Sequence, residues 1–156
     1  MKREPAPSIP LARLLALAYR QLIDDLHVRL ATTPYAEVRP TFGYVLLALR
    51  EHPATGADIA LLLGVTKQAA SKLIDTMEHG GYLQRQPHQN DARAKTVAIT
   101  AKGRKVLVTV ESIYRDLEAE WARVTSRPRV ESLRADLQKI VQVANGGQLP
   151  TVRPTR

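Results

Sequence analysis

The stretch from Thr66 to Gly81, TKQAASKLIDTMEHGG, predicts one short helix with both of its ends marked, and it limits the folds that the rest of the chain can adopt. Thr66 predicts an N-cap, because its hydroxyl can accept a hydrogen bond from an unpaired amide of the first turn, and Gly80 and Gly81 predict a left-handed stop. Apolar residues at helical spacing predict one buried stripe, formed by Ala70, Leu73, Ile74 and Met77. Polar and basic residues fall on the other side: Lys67, Gln68, Ser71 and Lys72.

A second short helix is predicted immediately before this one. Residues 55–64, TGADIALLLG, begin with a capping Thr55 and end at Gly64, and the link to the next helix is only Gly64-Val65-Thr66. Two short helices joined by a turn of three or four residues that contains glycine are typical of the helix-turn-helix, whose second helix enters the major groove of DNA. A tight helical corner in an unrelated α-protein is the alternative interpretation.

The charges on the second helix oppose its dipole. Lys67 lies in the first turn, and Asp75 and Glu78 lie toward the C-terminal end, an arrangement that costs ~0.3 to 1 kcal/mol per charge. Local rules tend to be broken where function requires it, so this N-terminus suits a helix that meets phosphates and base edges end-on. A solvated helix face with ordinary lysines remains the alternative.

The net charge of +8 is concentrated in one part of the chain. Residues 8–65 hold five basic and five acidic side chains, residues 106–145 hold six of each, and residues 66–105 carry a net charge of +5. A neutral scaffold with a cationic central segment favours binding to a phosphate backbone, because each neutralised phosphate releases counterions. A membrane-surface role would require an amphipathic helix with bulky apolar residues opposite the lysines, which this segment lacks.

Composition argues against several other classes of protein. The 156 residues fit one domain, and the absence of cysteine excludes disulfides, thiolate metal sites and thiol redox sensing. No apolar run approaches a membrane span and the N-terminus lacks a signal-peptide core, so we expect a cytoplasmic protein with no membrane contact. The four histidines lack ligand spacing, and no catalytic grouping is evident, so we expect no metal, no cofactor and no enzymatic activity.

The second helix of the helix-turn-helix, over Thr66 to Gly81, is called the recognition helix below. The segment after it predicts a β-hairpin. Residues 82–86 and 95–99 read as two strands, joined by a long polar tip over residues 87–94. A hairpin that follows a helix-turn-helix is a wing, and this one carries Asn90, Asp91, Arg93 and Lys95 at its tip. Arginine on a thin projecting loop fits a narrow minor groove, and Asp91 can hold that guanidinium through a charge-assisted bond. A solvated hairpin, in which Asp91 makes an Asx-turn, is the alternative.

Long amphipathic helices are predicted on both sides of this unit. The first runs from about residue 9 to 31, a shorter one from Pro40 to about Glu51, and the last two cover residues 100–124 and 126–144. The apolar stripes of the first and the last two helices exceed what the small helix-turn-helix core can cover, so an isologous two-fold interface would bury them. Two recognition helices would then lie roughly 34 to 36 Å apart on a palindromic site. Residues 1–8 and 146–156 are expected to be flexible tails.

From Leu63 to Leu107 the sequence resembles the MarR (multiple antibiotic resistance regulator) family of winged-helix transcriptional regulators. The resemblance rests on the capped recognition helix, the Gly-Tyr-Leu exit into the wing, Asp-x-Arg at Asp91 and Arg93, and Thr-x-x-Gly at Thr100 and Gly103. The helix order on both sides agrees, so it spans about residues 9–145. It implies a mainly α fold with a small β-hairpin wing: a winged helix-turn-helix over about 40–100, with N- and C-terminal dimerisation helices over about 9–31 and 101–145.

The resemblance also implies a function, namely a homodimeric transcriptional regulator, a repressor or an activator, that binds double-stranded DNA sequence-specifically. The expected DNA contacts are Thr66, Lys67, Gln68, Ala69, Ser71 and Lys72 on the recognition helix and Asp91, Arg93 and Lys95 on the wing. Ala69 and Ala70 are small where relatives often have larger residues, so they are expected to reach no more than a thymine methyl. A winged-helix module that binds protein without DNA specificity is the alternative, and it should present a neutral or apolar recognition surface.

Relatives of this family often bind small phenolic or other anionic ligands between the dimer helices and the DNA-binding lobe, which releases the DNA. The residues that would line such a pocket here are Tyr19, Tyr35, Phe42 and Tyr44. Aromatic residues near a helix junction are also typical of ordinary core packing, so both interpretations stay open. A small anionic or aromatic effector is therefore an expected partner only if the pocket forms.

Overall fold

The computed structural model describes residues 9–88 and 91–150, and for residue 88 and residues 91–94 it describes the backbone only. Within these ranges there are six helices and three strands. In chain order they are α1 (Leu11–Leu30), α2 (Pro40–Ala48), β1 (Ala54–Thr55), α3 (Gly56–Leu63), α4 (Lys67–His79), β2 (Leu83–His88), β3 (Asp91–Ile99), α5 (Ala101–Val124) and α6 (Arg127–Ala144). The predicted fold class, mainly helical with a small β wing, is confirmed. The predicted tail at residues 1–8 and residues 151–156 of the other tail lie outside the described residues.

Hydroxyl side chains begin four of the helices at the positions that the sequence indicates. Thr55, Thr66, Thr100 and Ser126 each accept a hydrogen bond from a backbone N–H of the following turn. At Thr55 the cap is reciprocal, because the Asp58 carboxylate accepts from the Thr55 N–H at 2.9 Å. These caps set where α3 to α6 start, which leaves the angles between the helices to be set by packing.

The core is centred on the helix-turn-helix and its wing. The most deeply buried large side chains are Val45, Leu46, Leu49, Ile59, Ile74, Met77, Leu83 and Val106. They come from α2 and its C-cap Leu49, from α3, α4 and β2, and from the start of α5, so α4 is held from several directions. The C-terminal part of α1 joins this core through Leu26 and Leu30, which are also buried.

The wing is part of a three-stranded antiparallel sheet with the strand order β1-β3-β2. β1 pairs Ala54 with Val97 and Thr55 with Thr96, an addition that the sequence did not predict because two residues are too short to show an alternating pattern. The predicted long tip over 87–94 is wrong, since β2 continues to His88 and β3 begins at Asp91. Pro87 lacks an N–H, and the ladder accommodates it by a register shift between Pro87 and His88 instead of ending there.

The outer helices leave much of their apolar surface uncovered in the single chain. α6 packs beside α5, yet none of its side chains is buried. Leu133 and Ile140, which the sequence places on the inward stripe of this helix, are 42% and 61% exposed. No helix in the described ranges is both long and apolar enough to cross a membrane.

Candidate nucleic-acid interface

The turn between α3 and α4 is fixed by a left-handed glycine and a hydroxyl cap. Gly64 has a φ of 65° and follows the last residue of α3, and the Val65 N–H donates to the Ala60 carbonyl at 3.1 Å. The Thr66 Oγ1 then accepts from the Ala69 N–H at 3.2 Å, which satisfies one amide of the first turn of α4. Because glycine adopts positive φ with little strain, this short link holds α4 at a set angle to α3.

α4 buries one side and exposes the other. Ala70, Ile74 and Met77 are buried in the core, and Leu73, the fourth residue of the predicted stripe, is half-buried against it. All of the recognition-helix residues predicted to contact DNA are exposed: Thr66, Lys67, Gln68, Ala69, Ser71 and Lys72. Neither lysine of this set forms an ion pair with another described residue. The N-terminal half of α4 therefore presents polar and cationic groups to the outside.

The acidic end of α4 has a structural partner that sequence reasoning missed. The guanidinium of Arg85 in β2 bonds the carboxylates of both Asp75 and Glu78. The bond to Asp75 is the largest cause that raises the pKa of Arg85. Lys102 of α5 also reaches this end of the helix, where its Nζ donates to the Gly80 carbonyl at 2.7 Å. Cations supplied by β2 and α5 thus offset the charges that appear misplaced when α4 is considered alone.

The wing projects from the core beside the acidic face of α4. Lys95 is exposed and lies opposite Pro87 in the ladder. Asp91 and Arg93 belong to β3 by their backbone, but their side chains lie outside the described part of the chain, as does Asn90 entirely. The backbone therefore places the predicted wing residues on one strand, and their contacts stay a prediction.

The cationic segment 66–105 contributes less available charge than its net value of +5 indicates. Arg85 is already paired with two carboxylates, and Arg104 donates to the Arg50 carbonyl at 3.1 Å. Lys102 lies 4.5 Å above the Tyr82 ring as well as bonding a carbonyl. These three side chains already have partners within the chain, and Lys67 and Lys72 are the cations that α4 itself offers to a ligand.

Residues 43–94, from within α2 to the wing, match the model of the MarR family. The resemblance to the MarR family is confirmed. The same fold is found in the transcriptional regulator Tm0710 from Thermotoga maritima, with 22% identity, a TM-score of 0.71, and coverage of 89% of this chain and 98% of that chain.

Two further solved structures share the MarR-like fold. The transcriptional regulator BldR from Sulfolobus solfataricus is 29% identical, with a TM-score of 0.61 and coverage of 85% of this chain and 92% of that chain. A mutant of S. aureus MepR bound to an oligodeoxyribonucleotide is 21% identical, with a TM-score of 0.63 and coverage of 88% and 99%. No curated protein matches the chain in sequence.

A cavity of about 230 Å³ lies between α1, α2 and α5, where the MarR-like winged helix meets the outer helices. Tyr19 of α1 and Tyr44 of α2 line it, and their phenol oxygens lie 3.1 Å apart. This hydrogen bond is the first cause, and burial the second, that raise the pKa of Tyr44 to about 12. Tyr114 of α5 also lines the cavity, and burial raises the pKa of its phenol.

The other two aromatic residues predicted for this pocket lie elsewhere. Phe42 is buried in the core, edge-on to the Tyr82 ring with their centroids 5.8 Å apart, and Tyr35 packs on the core surface. Phe42 and Tyr44 are two positions apart on α2, which places them on nearly opposite sides of the helix. Of these two residues of α2, Tyr44 faces the cavity and Phe42 faces the core. Within the described residues, no cluster of histidine and acidic side chains is placed to hold a metal ion.

Sequence reasoning missed several polar residues of the cavity wall, among them Glu111 and Tyr114 of α5. Arg39, directly before α2, and His27 of α1 both line it. The His27 Nδ1 lies 2.7 Å from the Ile23 carbonyl oxygen, within hydrogen-bond distance. Neither residue carries a sequence signal, because its place in the wall depends on how α1 packs against α2 and α5.

Proposed function

We propose that this chain is a transcriptional regulator that binds double-stranded DNA as a homodimer, with the N-terminal half of α4 in the major groove. The observation that carries this proposal is the orientation of α4, which buries Ala70, Ile74 and Met77 and exposes all six recognition-helix residues predicted to contact DNA. Such a helix can approach base edges without disturbing the core. The DNA-bound structure of MepR, a protein of the same fold, supports the proposal. A cytoplasmic location belongs to it, because the target is DNA.

The two DNA-contacting elements have different roles in this proposal. Gln68 and Lys72 have side chains that can hydrogen-bond base edges, and Ala69 can pack on a thymine methyl. Lys67, near the helix start, suits a phosphate. On the wing, Arg93 would enter the minor groove, with Asp91 and Lys95 beside it. Base reading is thus assigned to α4, and most of the sequence-independent affinity to the wing and Lys67.

The homodimer would cover the apolar surface that the single chain leaves exposed. The N-terminal part of α1 exposes Leu11, Leu14, Leu15 and Leu17, and α6 exposes Leu133, Ile140, Val141 and Val143. α1 and α6 both pack beside α5, so an isologous contact can bury both sets together. A two-fold axis through this surface implies a palindromic operator, with its half-sites about one helical turn apart. Sedimentation at micromolar concentration should show two chains.

We also propose that the cavity between α1, α2 and α5 binds a small anionic or aromatic effector that releases the DNA, which makes the protein a repressor. Tyr19, Tyr44 and Tyr114 supply phenol groups and aromatic faces, and Arg39 supplies a positive charge. A ligand at this position would touch an outer helix and the winged helix together. It would thereby change their relative angle and the spacing of the two recognition helices.

Selection of bound fragments from random duplex DNA, at two salt concentrations, tests the proposed function. We expect a palindromic consensus at the higher salt and a strong loss of affinity as salt rises. Binding that shows no sequence preference at either salt would contradict base reading by α4. A purified protein that binds no duplex in dilute buffer would contradict the whole proposal.

One observation favours the alternative of a protein-binding module. Leu61 and Val65, beside the helix-turn-helix turn, are 75% and 44% exposed. An apolar partner could pack there, whereas Lys67 and Lys72 on the next helix favour a phosphate-bearing partner. Replacing Leu61 by serine distinguishes the two, since the DNA-binding proposal expects unchanged affinity for the selected duplex.

A further inference from the structure

Arg85 connects the first strand of the wing to the recognition helix through side chain and main chain together. Its guanidinium bonds the carboxylates of Asp75 and Glu78, and its backbone N–H donates to the Glu78 Oε1 at 3.1 Å. Asp75 and Glu78 are three positions apart, so they lie side by side on one face of α4. We call these three side chains the Arg85 clamp. Its bonds join the two elements that the proposed function places on DNA.

The clamp is poorly suited to bind a phosphate itself. Two carboxylates surround one guanidinium, so the cluster carries a net negative charge when all three groups are ionised. The Arg85 side chain is 32% exposed, and both of its terminal nitrogens are engaged by the acids. A phosphate approaching Arg85 would have to displace a carboxylate and would meet the charge of the other.

The clamp is one of several restraints on the wing, since Val97 of β3, which lies opposite Arg85 in the ladder, is buried and also pairs with Ala54 of β1. The backbone leaving α4 is fixed by Gly81, whose φ is 76°, and by the Tyr82 N–H, which donates to the Met77 carbonyl at 2.9 Å. Leu83 is buried, but Gln84 and Pro87 further along β2 are exposed. Among the side chains of β2 that the structure describes beyond Leu83, Arg85 is the one that hydrogen-bonds to α4.

We propose that Arg85 is a positioning residue that fixes the angle between the recognition helix and the wing, so that both reach one duplex together. The inference rests on the proposed DNA-binding function and assigns a role to residues outside the predicted contacts. Its consequence has an unusual sign: Asp75 and Glu78 are required for tight DNA binding although their charge repels DNA. Electrostatics alone predicts that removing these acids strengthens binding.

The test compares two variants that remove the same charge at different places. The clamp variant carries Asp75→Asn and Glu78→Gln, and the control variant carries Glu37→Gln and Glu51→Gln, which alter two exposed acids with no ion pair to a described residue. We expect the control to bind the selected duplex as tightly as the wild type or more tightly, and the clamp variant to bind about tenfold more weakly. A clamp variant that binds at least as tightly as the control would overturn the inference, whereas failure of the wild type to bind would overturn the proposed function itself.

Two additional variants separate positioning from charge and from stability. Arg85→Lys keeps the charge but cannot bridge two carboxylates as a planar guanidinium does, so it should also weaken binding. The effect of Arg93→Ala should be smaller in the clamp variant than in the wild type, because a misplaced wing no longer delivers Arg93 to the groove. Exposed ion pairs contribute little to stability, so all variants should remain folded by circular dichroism. Additive effects of the clamp and Arg93 changes in folded protein would contradict the positioning role.

Discussion

Gly103 of α5 lies directly against the main-chain carbonyl of Tyr82, so that a Cβ at Gly103 would sit 2.4 Å from that oxygen. The same Cβ would lie 2.8 Å from a side-chain carbon of Ile99 and 3.0 Å from one of Leu46. The contact joins the start of α5 to the exit from α4. This is the glycine of the Thr-x-x-Gly motif, and its lack of a side chain is what allows the close approach.

Gly103→Ala is therefore expected to destabilise the protein by about 1 to 3 kcal/mol, because the obstructing oxygen belongs to the backbone and cannot rotate away. Gly43→Ala is the matched control, since nothing lies within 4 Å of a Cβ there and alanine favours the interior of α2 by about 1 kcal/mol. Urea unfolding of both variants checks the pair. A Gly103→Ala protein as stable as Gly43→Ala would contradict the packing described here.

The reciprocal cap of α3 should make the free energy of unfolding depend on pH in the acidic range. The Thr55 hydroxyl, followed by the Thr55 N–H, lowers the pKa of Asp58, so the folded state favours the ionised carboxylate. Because the pKa of Asp58 is lower in the folded protein than in the unfolded chain, the ionised carboxylate stabilises the fold at pH values above the unfolded-state pKa. This stabilisation is lost as the pH falls through the folded-state pKa. Thr55→Ala should cost ~1 kcal/mol near neutral pH, and the difference from the wild type should shrink in acid. Urea titrations at several pH values measure this, and a difference independent of pH would argue against it.

The Tyr19–Tyr44 pair predicts a response at the opposite end of the pH scale. The pKa of Tyr44 is about 12 against an ordinary 10.0, so the folded state holds the phenol proton more tightly than the unfolded chain. The protonated Tyr44 phenol therefore stabilises the fold at pH values below its ordinary pKa, and this stabilisation is lost as the pH rises toward about 12. In Tyr19→Phe the pKa of Tyr44 should fall toward its ordinary value, which an absorbance titration of the phenolate would detect. An unchanged titration would show that the hydrogen bond is not its cause.

The wing arginine should act on every DNA sequence alike. Arg93→Ala removes one cation from the proposed groove contact, so we expect weaker binding to all duplexes and a salt dependence lower by about one charge. Fluorescence anisotropy on the selected operator and on a scrambled duplex, over a range of salt, provides the measurement. A loss confined to the operator would show instead that Arg93 reads bases.

Substitutions on α4, unlike Arg93→Ala, should change which DNA sequences the protein prefers. Gln68→Ala or Lys72→Ala should change affinity by ~1 to 3 kcal/mol at particular base pairs if the contact is bidentate, and far less at others. Repeating the random-DNA selection with each variant reveals the altered positions. Equal losses on all sequences for Gln68, Lys72 and Arg93 variants would argue against α4 as the base-reading element.

The elements closest to the predicted function were the easiest to predict from the sequence. Thr66 and Gly64 act through hydrogen bonds and dihedral angles within a few residues, so their roles at the ends of the helices follow from local rules. The exposure of Lys67 and Lys72 likewise follows from the period of the apolar stripe. The caps and the local periodicity of the sequence were therefore enough to predict most of the helix-turn-helix.

What the sequence did not reveal depends on packing between elements. The partners of Arg85 lie ten and seven residues away, and only the angle of β2 against α4 brings them together. The sequence did contain one signal of this contact. Asp75 and Glu78 lie near the C-terminal end of their helix, where acids are unfavourable, and this position indicates a basic partner on another element. Phe42 and Tyr44 were grouped by type, although helical geometry alone separates their faces.

α6 is described throughout and has none of its side chains buried by the rest of its own chain. If dimerisation buries these side chains, the stability of α6 depends on the concentration of the subunit in the cell. A scarce subunit would spend more time frayed at its C-terminal end and would be cut there by proteases, whereas an abundant one would survive by association. Turnover would then set a lower limit on the copy number at which such a regulator can operate.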